Sequence, residues 1–313
     1  MNSMNFNQEW YGSQAKVLTQ APDCIVVDYG CNGRGIVKNY NLFEGIQLCF
    51  LDFNTDETMA SKKFNSDIIQ ITHCRSGRYE CEFLNHTVSY LPEGYFGVAG
   101  TEYLPISFSF PLKKYIGVSL VIDKQALSDE TRKMMKAIPI DLDKIGTTLG
   151  IEKKWYVNET PPKLQHLFSE LYEAESMGYF KIKAIELLYY MDQLTQLNGY
   201  DFKYFDKKQI QSTKAIREYL ITHLDEKVSL ERLAKNAHLN LSVFHMIFAH
   251  IYGDTPYSHL KKYKMNLAAQ MLTDGQVKIG DIALELGYSN ASKFAKAFQS
   301  VYGVLPKDYR KNR

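Results

Sequence analysis

The sequence predicts an α+β protein of two domains: an N-terminal β-barrel with appended helices, then an all-α domain. Three observations carry this. Short runs rich in β-branched and aromatic residues fill residues 20–125. Helical periodicity takes over from Ser128. The last third repeats itself at an offset of 49–50 residues. The 313 residues suit about two domains at roughly 100–200 residues each. The expected boundaries are 1–197, a linker at 198–207, and 208–313.

The first strands are Gly45–Phe53, Asp67–Cys74, Tyr79–Leu84 and Ile116–Ile122. Turn residues separate them: Ser76-Gly77, Pro92-Glu93-Gly94 and Pro111. Several short strands at such spacing point to a sandwich or barrel. Residues 128–137, 161–176 and 179–196 read as helices; in the last, Ile182, Ile185, Leu188, Tyr189 and Met191 recur near helical spacing. Asn198-Gly199-Tyr200 opens the linker, and everything beyond it reads helical.

Thr72–Glu80 reads as a tight hairpin with a two-residue turn at Ser76-Gly77. Arg75 then pairs Arg78, His73 pairs Glu80, and alternation puts all four on one face. Two guanidiniums side by side attract an anion, so these four are the candidate effector-binding residues. The competing reading is a solvated hairpin with Glu80 and Glu82 as counter-charges. The many Tyr and Phe of this half either line a small-molecule cavity or form plain core.

In the repeat, Phe244, Phe248, Gly253 and Pro256 recur as Phe294, Phe298, Gly303 and Pro306. Leu233-Ala234 recurs as Ile282-Ala283 one residue out of step, so one turn is longer. Each copy holds a short helix, a turn, a second helix and a Gly-x-x-Pro exit. Asn240 is the expected cap of one second helix, and Ser289 of the other, with Gly287 supplying the turn. Ile247 and Ile251, then Ala297 and Val301, complete the inner faces. Two helices joined by a short turn make a helix-turn-helix unit, whose second helix can lie in a DNA major groove. A solenoid is the competing reading, but it needs about three or more copies.

Charge agrees. Residues 1–206 carry 20 Lys and Arg against 26 Asp and Glu, a net −6. Residues 207–313 carry 17 against 9, a net +8. A basic module behind an acidic one points to a polyanion partner.

The run Asp281-Ile282-Ala283-x3-Gly287-Tyr288-Ser289-Asn290-x-Ser292-x-Phe294-x-Lys296-x-Phe298-x4-Gly303-x2-Pro306-x2-Tyr309-Arg310 resembles the signature of AraC/XylS-type transcription regulators. The resemblance covers 208–313. It implies a seven-helix DNA-binding domain with two helix-turn-helix units bridged by a long helix, Tyr257 to Leu272, spanning about 24 Å. It places base readout on Ser242, His245 and Met246 in unit one, and on Ala291, Ser292 and Lys296 in unit two; His250 and Lys293, further outward positions of the same helices, complete the expected DNA contacts. The sequence departs from the family where Met246 replaces the usual Arg, Ala249 a usual basic residue, and Leu305 a small hydroxyl residue. Arg and Lys to guanine are the commonest specific contacts, and the unit-one helix offers neither. Charge is then left to unit two and to Lys261, Lys262 and Lys264 of the bridging helix.

The N-terminal half resembles the cupin-like sensor domains of such regulators, through strand density and the Pro92-x-Gly94 turn. A metal-binding cupin wants a His-x-His pair followed by Glu, whereas His73 and His86 stand alone. The expected protein is therefore no enzyme and takes no cofactor or metal. Its expected partners are double-stranded DNA, a small-molecule effector of unknown identity, a second copy in a homodimer made through helices 128–196, and RNA polymerase. Two alternatives stay open: a constitutive regulator whose N-terminal domain only dimerises, and a cupin-type enzyme fused to a DNA-binding domain. Hydrolase, P-loop and dinucleotide fingerprints are absent from the sequence. The five cysteines lack CxxC spacing, no apolar run approaches the ~18 residues of a membrane helix, and no secretory leader is visible. Those features predict a cytoplasmic location with no membrane partner.

Overall fold

The computed structural model describes residues 11, 14–61, 66–194, 203–226, 228–273 and 277–311. Contacts divide the chain between Tyr204 and Phe205 into two compact units. Of the expected linker, 198–202 lie outside the described residues. Lys207, counted there with the linker, opens a helix, because Asp206 caps it by accepting from the Lys208 and Gln209 amides.

The N-terminal unit is one curled antiparallel sheet. Its strands are β1 (Lys16–Gln20), β2 (Cys24–Asp28), β3 (Arg34–Phe43), β4 (Ile46–Asn54), β5 (Met59–Ala60) and β6 (Ile68–Glu82), then β7 (Thr87–Pro92), β8 (Tyr95–Gly100), β9 (Ser107–Ser109), β10 (Lys114–Asp123) and β11 (Tyr156–Glu159). The order runs β1-β2-β3-β4-β10-β6-β8-β11, while the far half of β6 pairs with β7 and β9. Alternation along β10 shows how this sheet buries both faces. Tyr115 joins an aromatic interior with Phe53, Tyr79, Phe108 and Phe110. Val118, Leu120 and Ile122 pack in the other cluster with the helices.

Those helices are α1 (Asp129–Ala137), α2 (Leu142–Leu149), α3 (Pro162–Glu173) and α4 (Met177–Gln193). Ser128, Asp141 and Ser176 cap α1, α2 and α4 with side-chain oxygens, and α3 starts at a proline. Leu164, Leu167, Phe168 and Leu171 of α3 and Phe180, Leu187 and Leu188 of α4 close over the sheet. Neither α2 nor β11 was expected from the sequence.

The expected hairpin at Ser76-Gly77 does not exist. β6 runs straight through it as a fifteen-residue strand. Ser76 and Gly77 stay paired with Ile116 and Tyr115 of β10, and Arg75 is a one-residue bulge. Gly77 is required for close approach rather than for a turn: at φ +90, an added Cβ would lie 2.0 Å from the Lys114 carbonyl oxygen. Bulge and glycine together bend the strand from one set of partners to the next.

The C-terminal unit holds seven helices among the described residues: α5 (Lys207–Thr222), α6 (Leu230–Asn236), α7 (Leu241–Tyr252), α8 (Pro256–Thr273), α9 (Ile279–Glu285), α10 (Ala291–Tyr302) and α11 (Pro306–Lys311). Gly253 and Gly303 end α7 and α10 in left-handed conformation, and Pro256 and Pro306 start the next helices three residues on. No helix of the described residues is long and apolar enough to cross a membrane.

Candidate nucleic-acid interface and N-terminal cavity

The pairs α6–α7 and α9–α10 are the two helix-turn-helix units, and the eighteen-residue α8 bridges them. Both turns use a left-handed residue at the same repeat position: His238 at φ 56 and Gly287 at φ 74. Each second helix is capped by asparagine. Asn240 Oδ1 accepts from the Ser242 amide, and Asn290 Oδ1 from the Lys293 amide, both at 2.8 Å. The cap of α10 is thus Asn290 and not Ser289, because unit two's longer turn moves the helix start on by one residue.

Phe244, Ile247, Phe248 and Ile251 hold α7 in the core, and Phe294 and Phe298 hold α10. Each fully buried Phe contributes roughly 1.5–3 kcal/mol over an exposed one. Val301, expected inward, is 37% exposed. The anchoring fixes what α10 turns outward: Ala291, Ser292, Lys293, Lys296 and Gln299 are all exposed. On α7, Ser242 is exposed, whereas His245, Met246, Ala249 and His250 are half-buried. His250 has a packing task as well, its ring lying 4.9 Å from that of Phe205.

The α8 lysines differ from expectation. Lys262 pairs with Asp254 at 2.7 Å. Lys264 donates to the Leu224 carbonyl at 2.7 Å and lies over the Tyr288 ring, and burial lowers its pKa. Lys264 therefore ties α8 to the 224–225 turn instead of supplying free charge. Exposed cations that sequence reasoning passed over stand on α6 (Arg232, Lys235) and before α9 (Lys278). Their signal was only charge, which does not separate a phosphate contact from a solvated face.

In the N-terminal unit the four expected effector residues are not assembled. His73 is buried, stacked on Phe168 at 4.3 Å, with Nδ1 3.2 Å from the Tyr172 hydroxyl. Arg75 lies over the same Tyr172 ring. Glu80 accepts from Tyr90 and Ser109 at 2.7 and 2.9 Å. Seven residues of bulged and bent strand separate His73 from Glu80, at most about 23 Å, where a hairpin would have made them neighbours. Arg78 stands beyond the bend with Glu80, paired to Pro92 of β7.

None of the four lines the cavity of about 270 Å³ inside the curled sheet. Its walls include Tyr11, Tyr29, Tyr79 and Phe108, with Asn39, Gln47, Gln70 and Ser119 as polar groups. Asn39 Nδ2 donates to the Tyr11 hydroxyl at 3.1 Å and to Gln47 Oε1 at 3.3 Å. Gln70 donates to Ser119, which also bonds Thr72. Among the described residues, no three His, Cys, Asp or Glu side chains converge to hold a metal ion.

Two helix-turn-helix units on one bridging helix define the C-terminal unit as a double helix-turn-helix module. Residues 233–312 match the helix-turn-helix domain family, and the module is of the AraC type. The chain is similar to the probable transcriptional regulator LumQ of Photobacterium leiognathi, 31% identical over 108 residues, which cover 34% of this chain and 44% of that protein. It is 30% identical over 157 residues to the MmsAB operon regulatory protein of Pseudomonas aeruginosa, covering 47% and 48%. It is 35% identical over 82 residues to the RCS-specific HTH-type transcriptional activator RclR of Escherichia coli, covering 26% and 29%. The matches span less than half the length of these relatives.

Proposed function

We propose that this chain is a sequence-specific DNA-binding transcription regulator whose N-terminal unit responds to a small molecule. The observation that carries the reading is the exposed face of α10, Ala291, Ser292, Lys293 and Lys296, on a helix whose opposite side is locked by Phe294 and Phe298. Such a face can enter a major groove with two cations and a hydroxyl toward base edges and phosphates. The proposed contacts of α7 are Ser242, His245, Met246 and His250, a set without Lys or Arg. α8, eighteen residues and so about 27 Å long, has a length comparable with the ~34 Å between successive major grooves on one DNA face. The LumQ and RclR names are those of transcription regulators, and the basic C-terminal third agrees with a DNA partner.

The small molecule is assigned to the cavity inside the sheet rather than to the His73–Glu80 stretch, which serves packing. Self-association is assigned to α4, where Ile182 and Tyr189 stay 62% and 44% exposed despite their size. The deciding experiment is selection of bound duplexes from a random pool by the full-length chain. An enriched motif with at least one strongly specified half-site is expected. Recovery of no motif, or of single-stranded sequences only, overturns the assignment.

A further inference from the structure

A reader of two half-sites needs its two reading helices at a fixed distance and angle, so whatever joins unit one to unit two sets the spacing that is bound. The helices around each unit are tied to α8 separately. Arg217 Nε of α5 donates to His259 Nε2 of α8 at 3.1 Å, and the Tyr302 hydroxyl of α10 donates to Asn266 Oδ1 of α8 at 2.9 Å. Lys264, midway along α8, reaches both sides. Its ammonium donates at 2.7 Å to the Leu224 carbonyl, in the connection that leads from α5 into unit one. The same ammonium stands 5.7 Å from the ring centre of Tyr288, in the turn of unit two. Connection and turn touch at that point. Leu224 packs against the buried cluster that holds Leu286, Phe294 and Phe298 of unit two. A Cβ on Gly287 would lie 2.3 Å from the Leu224 oxygen and 3.1 Å from the Asp225 Cα.

We infer that Lys264 is a positioning residue that sets the half-site spacing, by clasping the 224–225 connection of unit one to the Gly287-Tyr288 turn of unit two. The inference rests on the DNA-binding reading and adds to it a determinant of spacing that touches no DNA. Three attractions meet at the one ammonium. A hydrogen bond from a cation is shorter and roughly twice as strong as a neutral one. The face of the Tyr288 ring attracts the charge, the more so because Lys264 is half-buried. The Asp225 carboxylate favours the charged form against the cost of burial. Without the ammonium the junction keeps its apolar contacts, which are non-directional, and loses the bond that fixes an angle. Each reading helix stays anchored by its own buried phenylalanines, so both units keep their folds while the angle between them loosens.

The test uses the full-length chain and the selected duplex, with the spacer between half-sites native, one base pair shorter or one longer. One base pair turns the second half-site by about 34° and moves it about 3.4 Å. The unaltered chain should prefer the native spacer by about tenfold or more. Lys264→Met keeps the apolar stem and removes the donor, and should cut that preference to about threefold or less. Lys264→Arg keeps a cationic donor and should keep the preference. The salt slope of Lys264→Met should match that of the unaltered chain, whereas losing a phosphate contact would lower it by about 0.9. A second measurement needs no DNA: spin labels attached at Ser242 and Ser292 through p-acetylphenylalanine report the distance between the reading helices. Its distribution should widen about twofold in Lys264→Met and stay narrow in Lys264→Arg. Equal widths, three duplexes weakened alike, a lowered salt slope, or loss of helical circular dichroism in Lys264→Met overturns the inference. Failure to select any duplex would overturn the regulator reading instead, and the label distances would still decide whether Lys264 fixes the two units.

Discussion

Single residues set the geometry of both units. Gly287 shows it most sharply: a Cβ there would lie 2.3 Å from the Leu224 carbonyl oxygen, the same oxygen that accepts from Lys264. Gly287→Ala should cost at least about 2 kcal/mol, from left-handed strain plus that backbone clash. His238 fills the equivalent place in unit one at φ 56 without being glycine. His238→Gly should stabilise by roughly 0.5–1 kcal/mol, since it relieves the Cβ strain. Denaturant titration of both variants checks the pair, and opposite signs are the expected outcome. His73 makes a second case. Burial, aided by the Arg75 charge, lowers its pKa to about 4. An unfolded histidine titrates near 6.5. Above that, neither state binds the proton and His73 has no effect on stability. As pH falls from about 6.5 to 4 the unfolded chain gains the proton first, so stability drops across that window. The loss should reach on the order of 2–3 kcal/mol for the N-terminal unit. Thermal melts from pH 7 to pH 4 should show it, and His73→Phe, which keeps the stack on Phe168, should flatten that limb.

The elements differ in how far the sequence revealed them. The repeated Phe, Gly and Pro positions made α7, α8 and α10 legible, because a helix packed on one side writes its inner face at a 3.6-residue period. The two reading helices should not contribute equally. Lys296 is exposed on α10, whereas Met246 is half-buried on α7. Lys296→Ala should weaken specific binding by about 1–3 kcal/mol and relax preference in its half-site. Met246→Ala should cost less, because an apolar contact lacks bidentate geometry. Fluorescence anisotropy with the selected duplex measures both, and a greater loss at Met246 would reverse the ranking of the units. β6 was misread for a physical reason. Ser-Gly is turn chemistry in isolation, and only the pairing of Gly77 with Tyr115 reveals a bend inside one strand. The cavity was illegible for a related reason. Asn39, Gln47, Gln70 and Ser119 come from four strands, β3, β4, β6 and β10, and no local pattern joins them. Lys264 looked like surface charge because its partner, the Leu224 carbonyl, lies forty residues away in sequence.

Over the whole molecule, charge decides how binding responds to solution conditions. The net −6 of residues 1–206 and the net +8 of residues 207–313 nearly cancel, so the overall +2 hides the basic module. Duplex affinity depends on local cations at phosphates and not on that total. Four exposed cations lie on or beside the reading helices and suit phosphates: Arg232, Lys235, Lys278 and Lys293. Lys296 is left to base readout, and Lys262 and Lys264 are left out because an aspartate and a carbonyl engage them. If those four neutralise one phosphate each, log affinity should fall with log salt at a slope of about −3.6. Between 50 and 200 mM salt that is a loss of about 150-fold. A contact made mainly by apolar groups would lose far less. The measurement is a salt series of duplex binding by the full-length chain, repeated with Lys293→Ala. Removing one phosphate contact should lower the slope by about 0.9. A slope near zero would show that the basic surface faces solvent. A steep slope left untouched by Lys293→Ala would place this lysine off the phosphates, with other cations carrying those contacts.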